Sequence, residues 1–325
     1  MSRQPTPIAR VRVSEPEMLA NALRGANLKP CQIHHGAAAS EFSRVQIGDA
    51  CLDMVSLGPA MLFSGAMPSD CFTLVYVTAC PQPGHSFNFG MTHSAGYMGV
   101  FAPGGVVDAK TPAGYQNAIL TIPVAEFHAS LAAHFPKVPD ALLARGAGLR
   151  VAADEQARLG AMLDSIAKMI RAPEQPLDHA RVRKQAGRSL RAAFLAALRS
   201  GCEQGHRQPN NRFKRRYGRL RQARDFIAGH LTQPLCLDDL CVATGLSRRG
   251  VENLFTEFLG IGPIAYLRNQ RLHGAHRDLR QTGHNRGAVK RIALTWGFPH
   301  FGHFAADYRS LFGESPTQSL SRAAS

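Results

Sequence analysis

Hydrophobic residues along this chain change their spacing twice, and each change marks a different kind of structure. Between about Arg44 and Pro123 they come as short runs, "RVQIG", "ACLDMVSL", "AMLFS", "CFTLVYVTA", "YMGVF" and "NAILTIP", broken by Gly and Pro. Short runs punctuated by turn-formers predict many β-strands, and so a barrel or a sandwich. The period then lengthens. In "ADEQARLGAMLDSIAKMI" the residues Leu159, Met162, Leu163, Ile166, Met169 and Ile170 share one helical face. A second helix over about 177–199 carries Leu190, Phe194, Leu195 and Leu198. "SGCEQGHRQPNN" (200–211) is rich in turn-formers and has no period, which reads as a linker. From "RLRQARDFIAGHL" onward the pattern is helical throughout, with Leu220, Ala223, Ile227 and Leu231 as its first buried side.

This helical third contains one pattern twice. The copies are "LDDLCVATGLSRRGVENLFTEFLGIGPIAYL" (237–267) and "VKRIALTWGFPHFGHFAADYRSLFGESPTQSL" (289–320). Leu240 matches Ile292, Gly245 matches Gly297 and Leu246 matches Phe298. After one inserted residue Val251 matches Phe304, Phe255 matches Tyr308, Gly260 matches Gly313 and Pro263 matches Pro316. Each copy reads as a helix, a turn and a helix. In the first, a short helix ends at Gly245, which accepts the left-handed conformation that other residues avoid. Ser247 caps the next helix, and Val251, Leu254, Phe255 and Phe258 seat it. Arg248, Arg249, Glu252, Asn253 and Thr256 are left facing outward. Two arginines and an amide on an exposed helix start suit the reading of base edges in a DNA major groove.

Charge follows the same division. The chain of 325 residues has a formal net charge of +15. From Asn211 to the end there are 18 Lys/Arg against 8 Asp/Glu, whereas Met54 to Val107 holds one charged residue, Asp70. A basic helical third beside a neutral apolar half points to a polyanionic partner for the former. No run of about 18 apolar residues predicts a membrane span, and the polar opening lacks the apolar core of a secretory signal. The reading is a cytoplasmic protein with seven reduced cysteines, without disulfides or a CxxC pair. No metal or cofactor is expected. His34 and His35 are adjacent and would point to opposite faces of a strand. His85 and His93 have no nearby Glu, and Cys31, Cys51, Cys71 and Cys80 lack metal-ligand spacing.

The C-terminal third resembles the DNA-binding domain of the AraC/XylS family of bacterial transcription regulators. The resemblance rests on Ile292, Ala293, Gly297, Phe298, His303, Phe304, Tyr308, Phe312, Gly313 and Pro316, and on a linking helix "IAYLRNQRLHGAHRDL" (264–279) with Tyr266, Leu267, Leu272, Ala275 and Leu279 buried. It implies two helix-turn-helix units inserted into successive major grooves. The family's base-reading positions fall on Arg249, Glu252 and Asn253 in the first unit. In the second they fall on Phe301, Gly302, Ala305 and Ala306. Arg248, Thr256, His300 and Arg309 complete the expected DNA-facing set. Three departures stand out: Ala305-Ala306 replaces the usual Ser-Arg pair, Cys236 and Ala288 stand where Ser or Thr often caps a helix, and Gly274 interrupts the linking helix.

The resemblance also implies a multidomain α+β chain. A cupin-like β-barrel sensor would occupy 1–175, a helix and linker 176–213, and the DNA-binding domain 214–325. The helices at 153–199 are expected to pair subunits in a homodimer, the alternative being that they pack on the barrel. A small, mainly neutral or aromatic effector would then meet some of Phe72, Tyr76, Phe87, Phe89, Tyr97 and Phe101, unless these simply fill the core. The implied function is a non-enzymatic, ligand-responsive activator that binds double-stranded DNA and engages RNA polymerase. The alternatives are a cupin-type enzyme and a regulator controlled by a protein partner.

Overall fold

A computed structural model describes residues 8–13, 16–20, 23, 25–34, 39–82, 87–88, 91–92, 94–135, 142, 144, 146–174, 176–204, 211–282 and 287–322. The chain divides into two compact units. One comprises Met1–Pro30 with Ala39–Gln208, the other Cys31–Ala38 with Pro209–Ser325.

The first unit is β-rich. β1 (Ile8–Val13) precedes a short helix, α1 (Pro16–Ala20), and the strands β2 (Asn27–Gln32), β3 (Ser40–Ile47), β4 (Ala50–Ser56), β5 (Met61–Ala66), β6 (Cys71–Ala79), β7 (Phe87–Asn88), β8 (Met91–Thr92), β9 (Tyr97–Phe101), β10 (Val106–Thr111), β11 (Gln116–Pro123) and, after a helix, β12 (Ala147–Arg150) follow. They form two sheets. The larger runs β1-β3-β4-β11-β6-β9-β12, antiparallel throughout, and the smaller runs β2-β5-β10-β7-β8. Neither order closes on itself, so the expected barrel is replaced, among the described residues, by two facing open sheets.

Strand periodicity sorts the larger sheet's side chains. Phe72, Leu74 and Tyr76 of β6, with Ala118, Leu120 and Ile122 of β11, point to one face. That face is covered by α2 (Val124–His134), α3 (Ala153–Arg171) and α4 (Ala180–Glu203). Leu159, Leu163, Ile166 and Ile170 of α3, and Leu190, Phe194, Leu195 and Leu198 of α4, are buried in the same cluster. The apolar stripes expected to pair subunits are therefore buried inside one chain. The alternative packing is the one found: both stripes are buried in one cluster with the sheet's inner face.

The second unit is helical. It contains α5 (Asn211–Gly229), α6 (Leu237–Thr244), α7 (Arg248–Leu259), α8 (Pro263–Gln281), α9 (Ala288–Thr295), α10 (Phe301–Phe312) and α11 (Pro316–Arg322). Leu220, Ala223, Ile227, Leu240, Val251, Leu254, Phe255 and Leu267 are buried in its first half. Leu272, Ala275, Leu279, Ile292, Ala293, Phe304, Tyr308 and Leu311 build the core of the second. The long helix α8 serves both, with Pro263 at its start, where a missing N–H costs nothing.

Candidate nucleic-acid interface and interior cavity

The two turns between paired helices are built alike. Gly245 takes φ 65° and Gly297 φ 77°, the left-handed region that glycine enters without a steric penalty. The next residue donates back across each turn: Leu246 N to Cys241 O at 3.3 Å, and Phe298 N to Ala293 O at 2.9 Å. The matching 6→1 bonds close the leading helix of both copies in the same way. Around the first turn, Arg219 donates to the carbonyl of Thr244, and Gln222 Nε2 donates to that of Ala243 at 2.6 Å. These bonds satisfy carbonyls that the end of α6 would leave open.

The helix starts differ from expectation in an informative way. Cys236 is no oxygen cap, but its N–H donates to Asp239 Oδ2 at 2.8 Å, and this bond holds Asp239 below the usual carboxylate range. Asp238 and Asp239 thus charge the first turn of α6 favourably. Ala288 is the first helical residue of α9 and fully buried, and the cap position belongs to Gly287. Ser247 caps α7 as expected, accepting from Gly250 N at 3.2 Å.

Every DNA-facing residue expected on α7 is exposed: Arg248, Arg249, Glu252, Asn253 and Thr256. Arg248 is already engaged, its Nε and Nη2 donating to Asp238 at 2.7 and 2.5 Å. The sequence reading missed this partner, ten residues upstream at the start of α6. On α10, Phe301, Gly302, Ala306 and Arg309 are exposed, as is His300 just before it, and Ala305 is half-buried. Phe301 is 47% exposed, unusual for a large apolar side chain. Beneath it, His276 Nδ1 meets the Tyr308 hydroxyl at 2.6 Å, and that hydroxyl donates to Ser319 Oγ at 2.7 Å. Ser319 Oγ donates in turn to Glu314 Oε1 at 2.5 Å. The seat of α10 thus combines an apolar stripe with a buried polar network, while its exposed start presents Phe301, Gly302 and Ala306.

The first unit holds a partly open cavity of about 90 Å³ between its two sheets. Phe42, Val55, Val75, Tyr97, Phe101, Tyr115, Asn117 and Ile119 line it with Phe63, Val107, Ala109 and Thr111 from the smaller sheet. Of the six expected effector contacts, Tyr97 and Phe101 lie here. Phe72 and Tyr76 do not: they belong to the helix-covered face, where Phe72 stacks on Phe127 at 4.2 Å. Phe89 and the side chain of Phe87 lie outside the described residues, as do His35, His85 and His93. The alternation of β6 and β11 was the signal for the missed lining residues Val75, Asn117 and Ile119.

Charges are kept off this cavity. Arg44 pairs with buried Asp53 at 2.7 and 2.9 Å. Lys110 alternates with the lining residues Ala109 and Thr111, and its burial lowers it to about 8. Burial pushes the Cys51 thiol up to about 12 and Cys202 to about 11, away from reactive thiolates. No helix among the described residues is long and apolar enough to cross a membrane.

Comparison with known proteins agrees with this geometry. A family model described as a helix-turn-helix domain matches residues 240–322. The probable thc operon regulatory protein of Rhodococcus erythropolis is 35% identical over 103 residues, covering 32% of this chain and 31% of that protein. The XylDLEGF operon transcriptional activator of Pseudomonas putida is 37% identical over 95 residues, covering 29% and 30%. The chain thus matches about a third of the length of these relatives. A crystal structure of a probable AraC family transcriptional regulator from Rhodopseudomonas palustris is 36% identical, covering 33% of this chain and 99% of that one, with a TM-score of 0.32. Duplicated turns, seated recognition helices and matched family model together show that this chain carries a DNA-binding helix-turn-helix domain of the AraC/XylS family.

Proposed function

We propose that the protein is a sequence-specific transcription regulator, acting as an activator in the cytoplasm and responding to a small effector held between the two sheets of its first unit. The observation that carries this reading is the pair of helix-turn-helix units with matching turns and one exposed helix face each. On α7, Arg249 suits guanine O6/N7 and Asn253 suits adenine N6/N7, with Glu252 able to accept from cytosine N4. Arg248, braced by Asp238, and Thr256 serve the phosphates, as do Arg309 and His300 on the second unit. Phe301, Gly302, Ala305 and Ala306 offer carbon to thymine methyl groups.

The printed names of the relatives, an operon regulatory protein and an operon activator, support regulation of transcription. Engagement of RNA polymerase follows from the activator reading. We read the first unit as a sensor domain of the cupin-like kind, and the absence of an enzymatic role goes with that reading. A homodimer would use a surface other than the apolar stripes of α3 and α4.

The test begins with recovery of bound DNA from cells, followed by affinity measurements on the recovered site and on scrambled DNA. Arg249→Ala and Asn253→Ala are each expected to cost ~1–3 kcal/mol on the site and to relax preference at one base pair. Equal losses on scrambled DNA would refute base reading, and the absence of any preferred site would refute the regulator.

A further inference from the structure

The walls of the interior cavity specify more than that something small binds there. By volume, about 90 Å³ suits one small molecule, on the order of a substituted six-membered ring. By shape, the lining is mostly aromatic and branched: Phe42, Phe63, Phe101, Val55, Val75 and Ile119.

By charge, the lining contains no Lys, Arg, Asp or Glu among the described residues. Arg44 and Asp53 satisfy each other through two hydrogen bonds. Tyr97 and Tyr115 line the space, and burial raises both hydroxyls above the ordinary tyrosine range, so neither becomes an anion at neutral pH. A carboxylate or ammonium entering here would lose its hydration and gain no countercharge, which is prohibitive.

By polarity, one amide oxygen among the described lining residues is unmatched. Asn117 lines the cavity from β11 beside the helix-facing Ala118; its side chain is hydrogen-bonded to the Tyr115 hydroxyl, and its Oδ1 is sealed from solvent without a hydrogen-bond partner. Buried acceptors are almost always matched, and an orphan calls for a partner that the chain itself does not supply.

We infer that the cavity takes an uncharged, single-ring molecule whose one hydrogen-bond donor, a hydroxyl or amino group, meets Asn117 Oδ1. This rests on the effector reading above and narrows it to a chemical class.

The experiment measures binding to the full chain by calorimetry and thermal shift, using phenol, anisole, toluene, benzoate and benzylammonium. Phenol is expected to bind three- to tenfold more tightly than anisole or toluene, which cannot donate. The two ions are expected to bind at least 100-fold more weakly. Asn117→Leu should erase phenol's advantage while leaving toluene bound, and Ile119→Phe should exclude every ring by filling the space. The ranking on the unaltered chain decides the matter even where a variant fails to fold. Benzoate or benzylammonium binding as tightly as phenol overturns the neutral class and leaves the effector reading standing. Phenol no better than anisole overturns the role of Asn117. No binding by any of the five overturns the inference and removes the support that the cavity lends to an effector.

Discussion

Gly274 shows how a single residue can be misread from local preference. Glycine inside a helix costs ~1 kcal/mol relative to alanine, so its place in α8 suggested a loosened segment. In the folded unit a Cβ at this position would stand 2.2 Å from Cη2 of Trp296, too close for any real contact. Trp296 lies across the helix at Gly274, and its indole N–H donates to Asp278 Oδ2 at 2.7 Å one turn further on. The glycine is therefore a notch cut for a tryptophan. Nothing in the local sequence could reveal this, because the partner belongs to a different helix-turn-helix element. Gly274→Ala is expected to destabilise the second unit by about 1–3 kcal/mol despite its better propensity. Trp296 is the only tryptophan in the chain, so its emission should shift in the native state while the denaturation midpoint falls. An unchanged spectrum with equal or greater stability would show that the notch does not matter.

At the scale of elements, α7 and α10 are the same part with different exposed faces. Their turns, their buried stripes and their closing glycines Gly260 (φ 76°) and Gly313 (φ 74°) agree. All of that was legible in the sequence, since a repeat and its helical period are local patterns. The difference between the exposed faces was legible too, because each face follows once the buried stripe is known. The strands were harder. The run "CFTLVYVTA" announces β6, but which of its two faces meets the cavity depends on where the helices settle, and so Phe72 and Tyr76 were placed on the wrong side. The contrast between the recognition helices leads to a prediction at this scale. Replacing thymine by uracil within the second half-site removes one methyl group per base. That should weaken binding by ~0.8 kcal/mol for each methyl contacted by Phe301, Ala305 or Ala306. The same replacement in the first half-site should have little effect. Competition binding with synthetic duplexes measures both, and equal sensitivity of the two half-sites would count against the division.

For the molecule as a whole, two materials were visible at once: a neutral apolar half and a basic helical third. The chain divides between Gln208 and Pro209, within the "SGCEQGHRQPNN" stretch, with Cys31–Ala38 belonging to the second unit. The course of the sheets was not visible, because closure depends on hydrogen bonds between strands far apart in sequence. That difference from a barrel matters for solubility. A closed barrel has no free strand edge, whereas two open sheets present edges that can pair with another chain. The chain guards them by chemistry. β1, at one edge of the larger sheet, exposes Arg10 and Arg12. β2, at an edge of the smaller one, carries Lys29 and Pro30, a residue that cannot donate to a neighbour. The opposite edges, β12 and β8, are only four and two residues long. Arg10→Val combined with Arg12→Val should therefore leave ligand and DNA affinity intact yet drive concentration-dependent aggregation visible by light scattering. A monodisperse double variant at the same concentration would place the protection elsewhere. An open pair of sheets thus carries a colloidal burden that a barrel avoids, and the edge charges of β1 and β2 offset it.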